Sequence, residues 1–566
     1  MKRHLTAIMA LVLIISMFAA CGNGGSSASE NAEPDDASQT VESSATTAQT
    51  SETEEPEDVQ EDDNGIHVNQ LPLVDELTTL TFYNSWNPSN PSITQSMDDY
   101  LAIQEAEKLT NVHIDWTMVA AASFGEQFNV MVASDEYCDI MGFVNSNYVG
   151  GIAGALNDEV IINIKSYLAD YAPNYSARID DIEYGWAQVS LDDDTVGAIY
   201  SLDDTSLAAG TRGLAIRGDW LKALGLETPE TYEEFHDVFT AMKTEYGCYG
   251  FCLSGQIIEW GYPFVGGYGT PGYSLSFFGS DSYWYQVDGT VKNALIEDGF
   301  KKYLETMHQY YEEGLISPDF MTVAEQPNDP DKIGDMANGV YASFGISYGN
   351  IDTILANSTD ENIEILAVKG PVENKGDKVH FCDYMPIMTN ALESSISSAC
   401  ENPELAIAWL DFWYSETGYM LYDAGVEGTT YEIRDGVVYY TDLIVNNEYD
   451  LPIENASQLY CPAGMISSYR FVVTSSYPQA SLDAINVWSE GFDHEYVMPV
   501  MTLSLDEIEE YNNGLADLQT FAKECIPAFI NGSKSLDEWD SYVETLKSLG
   551  IEEKIAIYQN VLDRMK

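Results

Sequence analysis

The residue types that carry catalysis are dispersed in this chain of 566 residues. Its seven histidines are scattered, and neither an H-E-x-x-H pair nor a P-loop is present. A glycosidase needs two carboxyl groups at a set separation. Among 92 acidic residues, spacing in the sequence singles out no such pair. Cys248-x3-Cys252 lacks a second pair or a nearby histidine, so zinc is not expected there. The aromatic residues are more informative. The chain has 37 Tyr, 20 Phe and 10 Trp, and many of the Tyr and Trp fall in loop-like, Gly-rich stretches such as Trp260 to Gly289. Such rings offer flat apolar faces with a polar edge.

The N-terminus carries a different chemistry. Lys2, Arg3 and His4 precede an apolar run, Ala7 to Ala20, broken only by Ser16. That run is short for a bilayer span, which takes about 20 apolar residues, and reads as a secretory signal. Phe18-Ala19-Ala20-Cys21 resembles a bacterial lipobox, with Phe18 where Leu is preferred and Gly22 as a common companion. The resemblance implies a diacylglycerol on the Cys21 sulfur; the alternative is an ordinary signal cut near Ala20. No Lys or Arg follows until Lys108, and the Ser/Thr/Glu/Asp-rich tail to about Leu73 cannot bury a core. About 50 such residues give a tether with an r.m.s. reach of roughly 40 Å.

The remaining body is long enough for two large lobes. A net charge of −68 excludes nucleic acid as a partner, since phosphates need Lys and Arg. Setting Cys21 aside leaves seven cysteines, Cys138, Cys248, Cys252, Cys382, Cys400, Cys461 and Cys525. An odd, scattered set is no disulfide framework, and most of these read as buried small hydrophobes.

Leu77 to Tyr83 alternates as a first strand, Tyr100 to Leu109 reads as a helix and Val112 to Trp116 as a second strand. Phe124 to Ala133 is helical and Asp139 to Met141 begins another strand. This alternation predicts an α/β lobe with a largely parallel sheet. Thr231 with Glu234 predicts a capping box for a helix running to Lys243, and Asp219 a cap for a short helix ended by Gly225. Trp409 and Trp413, four apart, predict a core face of a helix opened by Pro403. Leu505 to Lys523 and Leu536 to Met565 read as mostly amphipathic helix.

Arg217-x-Asp219-Trp220-Leu221 with Leu224-Gly225-Leu226, Pro229-x-Thr231 and Glu234 resembles a signature of extracellular solute-binding proteins of ABC sugar importers. The similarity is to the long, oligosaccharide-binding branch. Ala133-Ser134-Asp135 with Asp139-Ile140, Tyr171-Ala172-Pro173-Asn174, Tyr311-x-Glu313-Gly314-Leu315, Asp411-Phe412-Trp413-Tyr414 and Gly425-Val426-Glu427-Gly428 follow in the family's order. One departure is clear. Relatives often insert a calcium loop after the helix that ends here near Lys243, whereas this chain continues directly as Thr244-Glu245-Tyr246-Gly247. No metal or cofactor is therefore expected.

The resemblance implies a two-lobed periplasmic-binding-protein fold with an interlobe cleft and extra C-terminal helices. The expected division is a signal at 1–20, a tether at 21–74, lobe 1 from 75–205 and 346–424, and lobe 2 from 206–345 and 425–566. It further implies that the chain captures an oligosaccharide, expected to be neutral, and delivers it as a monomer to the transmembrane subunits of an ABC permease. It would do so from the outer face of a Gram-positive-type membrane. A secreted glycosidase and the ligand-presenting subunit of a sensor are the alternatives. Sugars need aromatic plates and planar polar groups, so the candidate contacts are Trp86, Asn87, Trp260, Tyr262, Tyr268, Trp284, Tyr348 and Tyr384, with Glu427 and Arg217 for charged bonds. Core packing is the competing role for each ring, and helix-start architecture for Arg217 and Trp220.

Overall fold

Alternation of apolar residues places Leu80 and Phe82 inward from β1 (Thr78–Trp86), which pairs in parallel along its length with β2 (Val112–Ala120). On its other side β1 meets β3 (Ile140–Gly142), again parallel. The long strand β13 (Ile387–Ile396) runs antiparallel between β3 and β4 (Ile199–Asp203), and β16 (Tyr469–Arg470) adds at the edge. The sheet order is β16-β4-β13-β3-β1-β2. The structure is a computed structural model. It describes residues 64–566 except 87, 89, 204–211, 255–263, 274–282, 324–329, 383–386, 450, 463, 471–472, 474 and 491–495. Cys21 and residues 21–63 of the expected tether thus lie outside the described residues, whereas its last part is corrected: Ile66, Leu73 and Val74 are buried in the large-sheet core, Ile66 bridges to Val74, and the Leu73 N–H donates to the Thr110 carbonyl.

The large sheet is covered by helices whose apolar faces meet it. Phe82 stacks on Trp116 at 5.2 Å and meets Trp409 edge-on. Trp409 and Trp413, from the helix Pro403–Phe412 and its cap, are both buried, as their spacing predicted. Asp411 on that helix reaches the start of another, Pro173–Asp180. It accepts hydrogen bonds from the Tyr175 N–H and the Asn174 Nδ2, each 2.7 Å long. Two sequence motifs more than 200 residues apart are therefore one structural joint.

The second sheet has the order β11-β5-β10-β6, built from β5 (Arg212–Arg217), β6 (Tyr249–Phe251), β10 (Tyr341–Ser347) and β11 (Ile365–Val368). β5 runs antiparallel to β10 and β11, and β6 runs parallel to β10. Helices Tyr232–Tyr246, Asp298–Glu312, Leu515–Ile530 and Trp539–Ser548 share its core. Thr231 accepts from the Glu234 N–H in the expected capping box. Three two-stranded ribbons complete the strands: β7 (Gly272–Tyr273) with β12 (Phe381–Cys382), β8 (Trp284–Val287) with β9 (Thr290–Asn293), and β14 (Tyr431–Arg434) with β15 (Val437–Tyr440).

The chain passes between the sheets three times: from Asp203 to Arg212, from Cys382 to Ile387, and from Arg470 to the helix Gln479–Ser489, whose Trp488 donates to the Leu214 carbonyl at 3.0 Å. These passages correct the expected boundaries. The segment 346–382 belongs with the small sheet, because β11 pairs with β5 over Ile365 to Val368. The return to the large sheet comes only at β13. The chain beyond 425 also stays with the large sheet until β16, because Tyr469 pairs with Leu202. The mostly helical stretch expected from Leu505 to Lys523 is two helices, Leu505–Asn512 and Leu515–Ile530, divided at Gly514 with φ 77°.

A fourth link is not a strand. Met498 packs with Trp284, Tyr511 and Ile557, while Val500 is buried in the large-sheet core. The Val500 N–H donates to the Gln188 Oε1 at 2.8 Å, and the Thr502 hydroxyl donates to the Gln188 carbonyl. Residues 498–502 thus strap the C-terminal helices to the large-sheet lobe.

Candidate functional site

The strand directions define where a ligand can sit. β1, β2, β3, β4 and β16 all run toward the edge of the large sheet from which the chain leaves for the small one. In the small sheet, β6, β10 and β11 end at the edge where β5 begins. The two lobes therefore present strand C-termini to each other, which is where open α/β sheets hold ligands.

On the large-sheet side this edge is closely fitted. Asn84, buried near the end of β1, donates from Nδ2 to the Met465 carbonyl at 2.7 Å and accepts the Ser85 N–H. Its amide lies against Gly142 at the end of β3, where a Cβ would stand 2.6 Å from the Asn84 Oδ1, so only glycine fits. After β3 the chain turns at Phe143 with φ 58°, forms the short helix Val144–Asn147, and turns again at Gly150 and Gly151. Val149 in this segment is 89% exposed, and Gly150 lies beside Leu505 of the C-terminal helices. The segment Phe143–Gly151 thus forms the rim of the cleft on this side.

The ten expected contact residues separate into three groups. Trp86 ends β1 at the rim, half-buried, with its ring 6.5 Å from Tyr100. Asn87, Trp260, Tyr262 and Tyr384 lie outside the described residues. In the sequence Asn87 follows β1, Trp260 and Tyr262 come after β6, and Tyr384 precedes β13.

The remaining five are placed elsewhere or committed to packing. Arg217 ends β5 at the edge away from the cleft, with its side chain only 3% exposed. It grips Asp219 through Nε at 2.9 Å and Nη2 at 2.6 Å, and lies over the Trp220 ring at 4.1 Å. It starts the helix Gly218–Leu224 and is no ligand arm; Asp219 binds this guanidinium instead of capping the helix. Tyr268 stacks on Tyr232 at 4.0 Å and bonds Thr306. Trp284 is buried against Tyr558 among the C-terminal helices. Tyr348 is buried edge-on to Tyr477, and because the return passage lies later than expected it belongs to the small-sheet side. Glu427 is exposed in the turn before β14, bridged to Tyr431.

The sequence reading counts no G-x-S-x-G elbow, yet the spacing itself is present. Gly345-Ile346-Ser347-Tyr348-Gly349 has the G-x-S-x-G spacing, on a strand-to-helix turn. Ser347 has φ −88°, without the strained turn of a nucleophile, and its hydroxyl donates to the Asn350 Oδ1 at 2.8 Å in a capping box. It is a helix cap. The sequence also gives no hint of Glu393, a buried acid beneath the rim, or of Gln188, because both are placed by contacts distant in sequence. Among the described residues no cluster of His, Cys, Asp and Glu suits a metal ion, and no helix is long and apolar enough to cross a membrane.

No protein-family model matches the chain. It is 24% identical over 522 residues to a fructooligosaccharide ABC transporter substrate-binding protein, FusA, of Streptococcus pneumoniae serotype 4, covering 87% of this chain and 91% of that one. It is 28% identical over 378 residues to the lipoprotein LipO of Bacillus subtilis, covering 64% of this chain and 68% of LipO. Among solved structures, the alginate-binding protein AlgQ2 without calcium ion superposes with a TM-score of 0.68 at 21% identity, over 87% of this chain and 99% of that one. The fold is that of two-lobed solute-binding proteins.

Proposed function

We propose that the chain, which is similar to a fructooligosaccharide ABC transporter substrate-binding protein, captures an oligosaccharide between its lobes and delivers it to an ABC importer. The observation that carries this reading is the meeting of strand C-termini from both sheets at the three passages of the chain. Closure of the lobes would bury the sugar between Trp86 and the segments that hold Asn87, Trp260, Tyr262 and Tyr384. A few stacked rings and charged hydrogen bonds suffice for micromolar affinity, about −8 kcal/mol.

A neutral sugar is the better fit. The strand ends at the cleft bring two basic residues, Arg212 and Arg470, and the chain has only 24 in all. A polyuronate would require several more. Anchoring through Cys21 would keep the monomeric carrier near its permease, and it needs no catalytic residue for this task. Calorimetry of the lipid-free protein against a panel of neutral and acidic glycans tests the proposal. Micromolar binding of a neutral oligosaccharide is expected; binding to no glycan, or release of reducing ends during incubation, would overturn it. Cys21→Ala should shift the protein from the membrane fraction to the medium.

A further inference from the structure

Glu393 lies on β13 just beneath the cleft rim and is 1% exposed. The strand reaches it through an irregularity: Met388 pairs with Ser201, and the next pair is Glu393 with Tyr200. The residues inserted between them bring the Glu393 side chain and carbonyl under the segment that follows β3. Its Oε1 accepts the Asn145 N–H at 2.7 Å, and its backbone carbonyl accepts the Phe143 N–H at 3.3 Å. One residue therefore holds both the entry turn and the first helical turn of Phe143–Gly151. Its second oxygen, Oε2, is buried and bonds nothing. The carboxyl is also bonded by its own backbone N–H, and among the described residues no ion pair accounts for keeping an acid here.

We propose that Glu393 is the positioning residue of the cleft rim, holding Phe143–Gly151 while its carboxyl is neutral and releasing it on ionisation. The consequence for ligand rests on the cleft reading above; the positioning itself does not. Burial pushes the Glu393 carboxyl up to about 8, against the pull of its backbone hydrogen bonds. Among the described residues the surroundings offer no compensating charge. β3 and the helices Val144–Asn147 and Gly185–Val189 carry no titratable side chain. Across on β4, Tyr200 is itself held protonated by burial and by this carboxyl. On the helix Pro403–Phe412, Asp411 is occupied by Asn174 and Tyr175, and Glu404 is the other acid. Among the described residues a carboxylate formed in this place has no cation to meet and must find water, and the rim above it is the way out.

Amide hydrogen exchange of the full-length protein between pH 6 and 9, corrected for intrinsic exchange, tests this. In the unmodified protein, protection of residues 143–151 should fall at least tenfold more than that of β1. Glu393→Gln keeps an acceptor for Asn145 but cannot ionise, so its rim protection should stay flat. Glu393→Ala should lose protection at both ends of the range. A parallel response in the unmodified protein and Glu393→Gln would overturn the proposal. So would a flat profile in the unmodified protein, which needs no variant to fold. Titration with 1-kestose forms a second arm. Affinity falling across the same pH range, and not in Glu393→Gln, would support the proposal, and pH-independent affinity in the unmodified protein would overturn it. The expected exchange pattern without any sugar binding would leave the positioning role standing and sink the sugar reading.

Discussion

The two lobes fasten their helices by opposite means. In the small-sheet lobe the fastener is Arg217, a fixed positive charge forked onto Asp219, with Asp360 at 3.4 Å and Trp220 beneath. In the large-sheet lobe it is Asp411, which among the described residues has no cation beside it and holds the helix Pro173–Asp180 by hydrogen bonds. Burial pushes the Asp411 carboxyl up to about 7, even though those bonds pull it down. A lone buried acid gives up its proton as pH rises, so the large-sheet fastener is built to feel pH.

The largest effect that tests this contrast is Arg217→Ala. It strands Asp219 part-buried without its partner and removes the contact with Trp220, so a loss of about 3–5 kcal/mol is expected in denaturant unfolding. Lower sugar affinity with stability unchanged would instead make Arg217 a ligand residue. Trp284→Ala should cost a similar amount, about 3–5 kcal/mol, through the cavity left beside Tyr558. Trp260→Ala should leave stability within about 0.5 kcal/mol and lower affinity instead.

The next effect is on pH. Glu393 and Asp411 have folded-state values near 8 and 7, well above the values of about 4 for unfolded carboxyls. Between these limits the folded chain holds protons that the unfolded chain has released, so stability falls as pH rises from about 4.5 to about 8. Melting should occur several degrees lower at pH 8.5 than at pH 5.5. Asp411→Asn should remove part of that slope, at a cost of about 1–2 kcal/mol near pH 5.5 from disturbing the acceptors for Tyr175 and Asn174. Arg217→Lys should leave the slope untouched and cost about 1 kcal/mol from loss of the fork.

The same contrast explains what could be read from the sequence. The motifs around Arg217 and Asp411 were legible because they sit at fixed offsets from helix starts, where spacing carries meaning. So were the capping box at Thr231 and the core pair Trp409 and Trp413. These are frame residues, and their regularity is what made the two-lobed fold readable. Cleft residues have no such period. Trp284 and Tyr268 lie in the same aromatic, Gly-rich sequence as Trp260, yet they face Tyr558 and Tyr232. A ring's neighbours are set by strand order, which composition does not encode. The boundary expected at 345 failed for a related reason: a helix and β11 are inserted before the chain returns, and their pairing with β5 is a long-range fact.

Consider finally the junction where relatives often carry a calcium loop. Here the helix Tyr232–Tyr246 ends at Gly247 in a left-handed turn, and β6 starts two residues on. Lys243 extends from that last turn and donates to the Glu313 carbonyl, at the end of the helix Asp298–Glu312. Positive charge at a helix C-terminus is favourable, and this one is covalently attached. A bound ion can be lost to a chelator or to scarcity in the surroundings, whereas an ammonium on the chain is always present. This joint is therefore self-sufficient: its strength is independent of the mineral content of the medium, and EDTA should leave the melting temperature where it was.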